Sequence, residues 1–569
     1  MGLIRSHATQ NEMTTVNVFL LGLGESSAQP FQLDAFKSLD DLLAAVVKRF
    51  NILAQKADTA LYQGSKKLQH LQEIKDGPLG VAIGGHGVRD PQGPAGIPFF
   101  GNYFDIYPDH VGNYRRLFET YGGVIKVHNN GRTFYLTNDP EVARLVFRDG
   151  DYFTKAPSSP GHPLHGIEDP SALFLCDTEA PAWKEAHKFL PPSMSPKAMR
   201  HHLPIITAAV TTSFNVLDQT EDLGQAFNVF KYAGKLASQV SAKLVLGVDL
   251  HQFDSVDSPL HRMMALVERA VLLNTRLQVR GKLYSYLPFG DPAQLRQSLK
   301  EVYGYIDQAI LDCDRDNVTD LPLQAAAVES TCLVDYMLRA TDGSGKKMTS
   351  RNVRGNVLVL LGAGFITSSA FLSWLIYSLV AYPGMQERLL LELVDHGAAP
   401  GKQWTYEEIH ALPFLDAFVK ETQRVHSPSF QPARNTRQDV VLPGGYRLPK
   451  GAVIIPSLPH LHTNPDHWSD PYRFDPDRWS TDRVRGRHRS AYVPFAAGAR
   501  GCIGFNAALL EAKVAVAELV YRYAFFDASE AAIEYDPEFN NIRPSNFYAK
   551  VVRRTSWPAP SALGMSVLS

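Results

Sequence analysis

Between Arg354 and Glu387 no charged side chain interrupts the sequence. The run follows Thr349 and Ser350, which suit a helix start, and ends before Pro383, which cannot continue a helix. An uncharged helix of such length either crosses a bilayer or lies buried on every side in a large core. This one is solitary, central and without flanking basic clusters, so burial in a core is the expectation. Most of the chain must then pack around it. Its middle, LGAGFITSSA (361–370), carries small residues and hydroxyls that packing alone does not require.

The rest of the composition fits a globular protein of more than one domain. The 569 residues are 45% hydrophobic and 20% charged, with a net charge of −1. That balance gives no electrostatic reason to expect nucleic acid or an anionic membrane as partner. The four cysteines, Cys176, Cys313, Cys332 and Cys502, are widely spaced and form no CxxC pair. A disulfide framework or structural zinc site is therefore not expected, and a reducing compartment fits. The first thirty residues hold no apolar run long enough for a signal peptide or membrane anchor, so a cytoplasmic location is expected.

Glycine and proline dominate GGHGVRDPQGPAGIP (84–98), which marks a break in regular structure. Residues 1–84 read as a small α+β unit. Strand patterns at 16–22 and 30–36 precede an amphipathic helix over 38–52, with Ser38 as N-cap and Leu42, Val46 and Phe50 on one face. Strand patterns at 59–64 and 77–84 follow. This ββαββ order resembles a ubiquitin-like β-grasp domain. After a linker at 85–97, residues 98–555 read as mainly α with a small β portion. Helix signals fall at 110–121, 139–147, 179–190, 201–245, 258–275, 293–312 and 350–382, and strand signals at 123–137, 438–447 and 543–553. Residues 556–569 read as a flexible tail.

Near the C-terminus, PFAAGARGCIGFNAALLEAKVAVAELV places Cys502 on a glycine-rich loop that runs directly into a helix pattern. Gly498, Gly501 and Gly504 permit a tight turn and the close approach of a flat ligand. The helix that follows aims its N-terminal amides at the sulfur, which favours thiolate over thiol. Arg500 adds a positive charge able to pair with a ligand carboxylate.

FAAGARGCIG is similar to the haem-thiolate loop of the cytochrome P450 family, F-x-x-G-x-R-x-C-x-G, at Phe495, Gly498, Arg500, Cys502 and Gly504. KETQR resembles the family's E-x-x-R pair as Glu421 and Arg424, and FDPDRW its P-x-R partner as Pro476 and Arg478. The resemblance covers about residues 94 to 555. It implies the P450 fold, a haem b cofactor and Cys502 as axial ligand of the iron, with electron donation from the thiolate. It further implies haem-propionate contacts at Arg500, Arg434 and Trp183, and a structural network of Glu421, Arg424 and Arg478. His187 stands where many members carry arginine. In that respect W-K-x-A-H is similar to the soluble fatty-acid-hydroxylase branch, whose members are fused to a reductase. By the same resemblance Arg132 and Tyr135 are candidates for a substrate carboxylate, and Phe174, Phe365, Phe430 and Asn546 for the pocket wall.

Within LGAGFITSSA the family pattern A/G-G-x-D/E-T-T/S is met by Ala363, Gly364, Phe365, Ile366, Thr367 and Ser368, except that Ile366 stands at the acid position and cannot relay a proton. The expected activity is a haem-thiolate monooxygenase acting on a small apolar molecule, fatty-acyl or secondary-metabolite in type. Two other readings stay open: a member that rearranges or dehydrates a hydroperoxide without external electrons, and a haem-binding sensor or scaffold whose N-terminal unit binds a protein partner. No G-x-G-x-x-G follows the haem domain, so the monooxygenase needs a separate NADPH-dependent reductase. RVRGRHR (483–489) offers Arg485, Arg487 and Arg489 as a basic docking patch for it.

Overall fold

The computed structural model describes residues 15–561 except 99, 130, 166–168, 281, 315–318, 429–431 and 535–541. The expected long helix is present as Ser350–Ala381 and runs through the largest apolar cluster, burying Val357, Leu361, Phe365, Ile366, Phe371, Leu375 and Leu379. Its heaviest packing is against the helix Val229–Leu246, itself buried along nearly its whole length. A helix apolar on all sides is thereby covered by protein rather than lipid.

Most of the expected elements lie close to where the patterns put them. The region expected as one helix over 201–245 is instead two, Pro196–Asp222 and Val229–Leu246. Gly224 between them adopts φ +63°, and Phe227–Asn228 pairs with the strand Tyr548–Arg553. An apolar helical pattern on both sides of the break concealed this turn, because Gly224 is a lone punctuator.

A second layer is a five-stranded sheet in the order Val124–Asn129, Arg132–Thr137, Val453–Pro456, Arg434–Thr436, Phe153–Thr154. One of its faces packs Phe134, Leu136 and Val453 toward Trp374 of the central helix. The other buries Tyr135, Phe153 and Ile454 with Val440, Leu442 and Leu448.

The N-terminal residues form a five-stranded sheet: β1 (Thr15–Leu20), β2 (Gln29–Gln32), β3 (Thr59–Gln63), β4 (Lys66–Lys67) and β5 (Leu79–Ile83), in the order β2-β1-β5-β3-β4. β1 and β5 are parallel and the other pairs antiparallel, and helix α1 (Leu39–Arg49) covers one face with Leu42, Leu43 and Val46. Ser38 caps α1 by accepting from the Asp41 amide. This is a β-grasp arrangement.

The unit does not close its own core. Val441, from the hairpin Val440–Leu442/Tyr446–Leu448, completes the apolar cluster that holds Val18, Leu42, Val46, Ile52 and Val81. Backbone bonds fix the seam. Leu53 donates to the Val441 carbonyl at 2.7 Å, Val441 to Asn51 at 3.0 Å, and Arg89 to Gly445 at 2.8 Å. Val441→Asp should therefore release the unit, since a charge would enter a core with no partner. Limited proteolysis should then cut within 84–97 faster than in the wild type, and protection as in the wild type would show that the seam does not depend on Val441.

Candidate active site: a cysteine loop beside a buried cationic pocket

The loop bearing Cys502 is shaped by backbone constraints. Gly498 has φ +75°, and a Cβ there would lie 2.0 Å from the Phe147 carbonyl oxygen, so only glycine fits. The Cys502 amide donates to the Phe495 carbonyl at 2.9 Å, closing the turn before the helix Phe505–Arg522. Cys502 is surface-accessible and yet deep among protein atoms, as a side chain facing an internal cleft should be. Burial raises its thiol pKa, and a hydrogen bond from the Gly504 backbone works the other way. Stable thiolate therefore calls for a cation at the sulfur.

Opposing cations gather beside this loop. Arg500 donates to the Cys176 carbonyl at 2.9 Å, and its guanidinium lies 5.3 Å from the Trp183 ring. Trp183 in turn stacks on His187 at 4.6 Å. These three predicted residues are thus brought together, with His187 acting through Trp183. Arg434 is 1% exposed and sits 3.3 Å from the Asp149 carboxylate. Two further groups were not signalled by the sequence. Lys155 is buried, donates to the Phe174 carbonyl at 2.7 Å and lies over the Phe174 ring. His162 is buried beside it. Burial, and behind it the neighbouring cations Arg500 and Arg434, push Lys155 well below its usual pKa. Burial and the Lys155 charge push His162 down to about 3, and Arg500 falls to about 10 chiefly through burial.

Among the described residues Asp149 is the carboxylate set against these buried cations, and their desolvation cost favours the entry of an anion. Among the described residues, Arg434 Nη2 and Arg500 Nη1 are buried with no hydrogen-bond partner. These orphaned donors, beside an accessible cysteine, fit a flat group that bears carboxylates and a metal able to accept sulfur. Haem has that chemistry: Arg434, Arg500 and Lys155 would hold its propionates and Cys502 would supply the sulfur ligand to its iron.

Across the cleft, Ala363 and Gly364 in the middle of the central helix are exposed and Thr367 is half-exposed, next to the buried Leu361, Phe365 and Ile366. A Cβ on Gly364 would lie 3.0 Å from Ser241 Oγ, so glycine also permits the approach of the helix Val229–Leu246. The Thr367 hydroxyl donates to the Ala363 carbonyl at 2.7 Å, which leaves its lone pairs to the cleft. Ile366 is 8% exposed and packs into the main core, away from that strip.

The remaining site candidates separate. Phe174 is 52% exposed and Phe365 is 3% exposed in the core. Asn546 spends its amide on the turn opposite, accepting from Glu534 at 2.9 Å and donating to Ala532 at 2.8 Å. Phe430 lies outside the described residues. Arg132 and Tyr135 are three apart on one strand and so point to opposite sides of the sheet. Tyr135 is buried against Val124 and Ile454, whereas Arg132 is half-buried, and burial lowers its pKa. They cannot together clasp one carboxylate.

Behind the cysteine loop, Arg424 binds both Glu421 oxygens at 2.8 and 2.9 Å, and both side chains are fully buried. Glu421 also accepts from Arg478 Nε at 2.9 Å, the Asp475 amide at 2.8 Å and Trp479 Nε1 at 3.0 Å. The remaining Arg424 donors reach the His462, Pro471 and Arg473 carbonyls. The basic run 483–489 is only partly free. Arg485 and Arg489 are exposed, but Arg487 lies 3.7 Å from the Trp468 ring and braces this network.

A cytochrome P450 family model matches residues 91–546. The cytochrome P450 monooxygenase alnD of Emericella nidulans is 56% identical over 96% of this chain and 100% of its own length. Thromboxane-A synthase of Rattus norvegicus is 26% identical over 82% of this chain and 92% of its own. Among solved structures, the cytochrome P450DA heme domain aligns with a TM-score of 0.72 at 23% identity, covering 82% of this chain and 98% of that one.

Arg424→Leu should cost about 3–5 kcal/mol, because it leaves the Glu421 charge buried and unpaired. Chemical denaturation should show the loss, and an unchanged midpoint would contradict the structural role given to the pair.

Proposed function

The chain belongs to the cytochrome P450 family, and on that premise we propose that it is a haem monooxygenase that inserts one oxygen atom into a small apolar molecule. The observation that carries this is the pairing of an accessible Cys502 with a buried cationic pocket in which Arg434 Nη2 and Arg500 Nη1 have no partner among the described residues. Bound haem supplies the iron at which dioxygen is activated.

The chain's own residues do the rest. Cys502 would hold the cofactor through its sulfur, and Arg434, Arg500 and Lys155 would neutralise its carboxylates. Trp183, stacked on His187 and faced by Arg500, keeps that guanidinium oriented. Phe174, exposed beside Lys155, offers an apolar face to an apolar substrate. Thr367 presents a hydroxyl oxygen to the cleft. The substrate type favoured is a fatty-acyl or secondary-metabolite molecule. The fatty-acyl type follows from the fatty-acid-hydroxylase resemblance. Arg132, half-buried on the sheet face that packs toward the central helix, is the cation available to a substrate acid group. Electrons come from a separate NADPH-dependent reductase, with Arg489, and Arg485 in a surface pair with Asp482, as the exposed part of its docking patch. The N-terminal unit, clamped on the hairpin by Val441, would present a partner from a fixed position.

A second reading is favoured by Ile366. A chain without the usual acid is suited to isomerising a hydroperoxide, which brings its own oxygen atoms and needs no external electrons. Incubation with NADPH, a P450 reductase and labelled dioxygen, using C12–C16 fatty acids as probes, separates the two. The monooxygenase reading predicts one labelled oxygen per product molecule and strict NADPH dependence. Conversion of a lipid hydroperoxide without NADPH, and no label from dioxygen, would select the isomerase instead.

A further inference from the structure

Two cysteines that the haem site does not use lie against each other elsewhere in the fold. Cys313 stands in the last turn of the helix Gly290–Asp314 and is half-buried. Cys332 is 1% exposed and is the N-cap of the helix Leu333–Arg339, where its sulfur accepts from the Asp335 amide at 3.5 Å. The two stand 19 positions apart in the chain, and their sulfurs are 4.0 Å apart, in van der Waals contact. A disulfide needs about 2.05 Å, so about 2 Å of approach remains, which rotation of the Cys313 side chain can cover. The Cys313 contact lowers the Cys332 thiol pKa and outweighs burial, and the Asp335 and Val334 amides add to it.

The surroundings decide what a bond between these sulfurs would do. Cys332 lies against the C-terminus of the helix Val229–Leu246, since a Cβ on Gly247 would lie 3.5 Å from its sulfur. That helix is the main partner of the central helix, so Cys332 belongs to the deepest part of the core. Cys313 ends a helix that packs chiefly on Arg262–Arg280. Near its end Asp307 accepts from Arg354 of the central helix at 2.6 and 3.0 Å, but this pair is open to water and holds weakly.

We propose that Cys313 and Cys332 form a reversible disulfide, a peroxide-responsive modification site that fastens the end of the helix Gly290–Asp314 to the core. Hydrogen peroxide is the oxidant, and it reaches the half-buried sulfur first. A bond forms between Cys313 sulfur and one peroxide oxygen as the O–O bond breaks, and the departing hydroxide takes the thiol proton and leaves as water. Cys332 then attacks the Cys313 sulfur. The S–S bond forms, the S–O bond breaks, and the second hydroxide leaves as water with the Cys332 proton. The two sulfurs lose two electrons and the peroxide gains them. Cys332, with its thiol biased toward thiolate, is suited to that second attack. A transient bond of this kind fits a reducing compartment, where a permanent disulfide does not. The inference uses neither haem nor Cys502, so it stands apart from the monooxygenase reading.

The test exposes the purified full chain to hydrogen peroxide, blocks the remaining thiols by alkylation and reads tryptic peptides by mass spectrometry without reduction. Trypsin cuts after Arg315, so the two cysteines leave on separate peptides unless they are bonded. The expected product is a cross-linked pair of the Cys313 and Cys332 peptides, two hydrogens lighter than their sum and lost on adding dithiothreitol. Cys332→Ser keeps an N-cap acceptor and should instead leave Cys313 as a sulfenic acid that a cyclic 1,3-diketone traps. In the oxidised wild type, amide hydrogen exchange over residues 307–313 should slow about tenfold, and peroxide should cause no such change in Cys313→Ser. Bonding of either cysteine to Cys176 or Cys502, or oxidation of Cys313 to sulfinic acid without a cross-link, would overturn the proposal. A cross-link that leaves exchange over 307–313 unchanged would overturn the fastening role.

Discussion

The arrangement depends first on the carboxylate of Glu421. It collects five donors: two from Arg424 and one each from Arg478, Trp479 and the Asp475 amide. A buried charge tolerates that position only when its lone pairs are filled. Filling them draws together the helix Pro413–Val425 and the segment 462–479, on which Arg487 then rests through Trp468 and Trp479. The cysteine loop follows in the chain at once. Its own stiffness comes from Gly498, whose close approach to Phe147 ties it to the helix Pro140–Val146. Rigidity on the sulfur side is thus structural, and it does not need the cofactor to be present.

The opposite tendency governs the cationic pocket. Arg434, Arg500 and Lys155 converge, and among the described residues Asp149 is the carboxylate facing them, while Arg434 Nη2 and Arg500 Nη1 have no hydrogen-bond partner there. A pocket with this imbalance is stable only when an anion enters, so folding and cofactor binding are thermodynamically linked. The two halves divide the work. A satisfied network fixes the thiol, and an unsatisfied one draws in the ligand.

Much of this was legible in the sequence, for identifiable reasons. The uncharged run 355–386 dictated a buried helix, and FAAGARGCIG carried the loop because its glycines and cysteine have backbone and chemical roles that few other residues can fill. Glu421, Arg424 and Arg478 were found through fixed spacing. Lys155 and His162 were not, because YFTKAPSSPGH reads as an ordinary loop and their burial comes from tertiary packing. The Val441 seam escaped as well, because no local pattern shows that one domain's core is finished by another's hairpin. Arg132 and Tyr135 were joined by resemblance, and the alternation of a strand parts them.

The account turns on the sulfur of Cys502 binding the metal of a haem cofactor. X-ray absorption at the iron edge of the purified, haem-loaded protein reads that bond directly. The account predicts one sulfur scatterer in the first shell, with an Fe–S contribution that disappears in Cys502→Ala. A first shell of nitrogen and oxygen alone in the wild-type protein would contradict it.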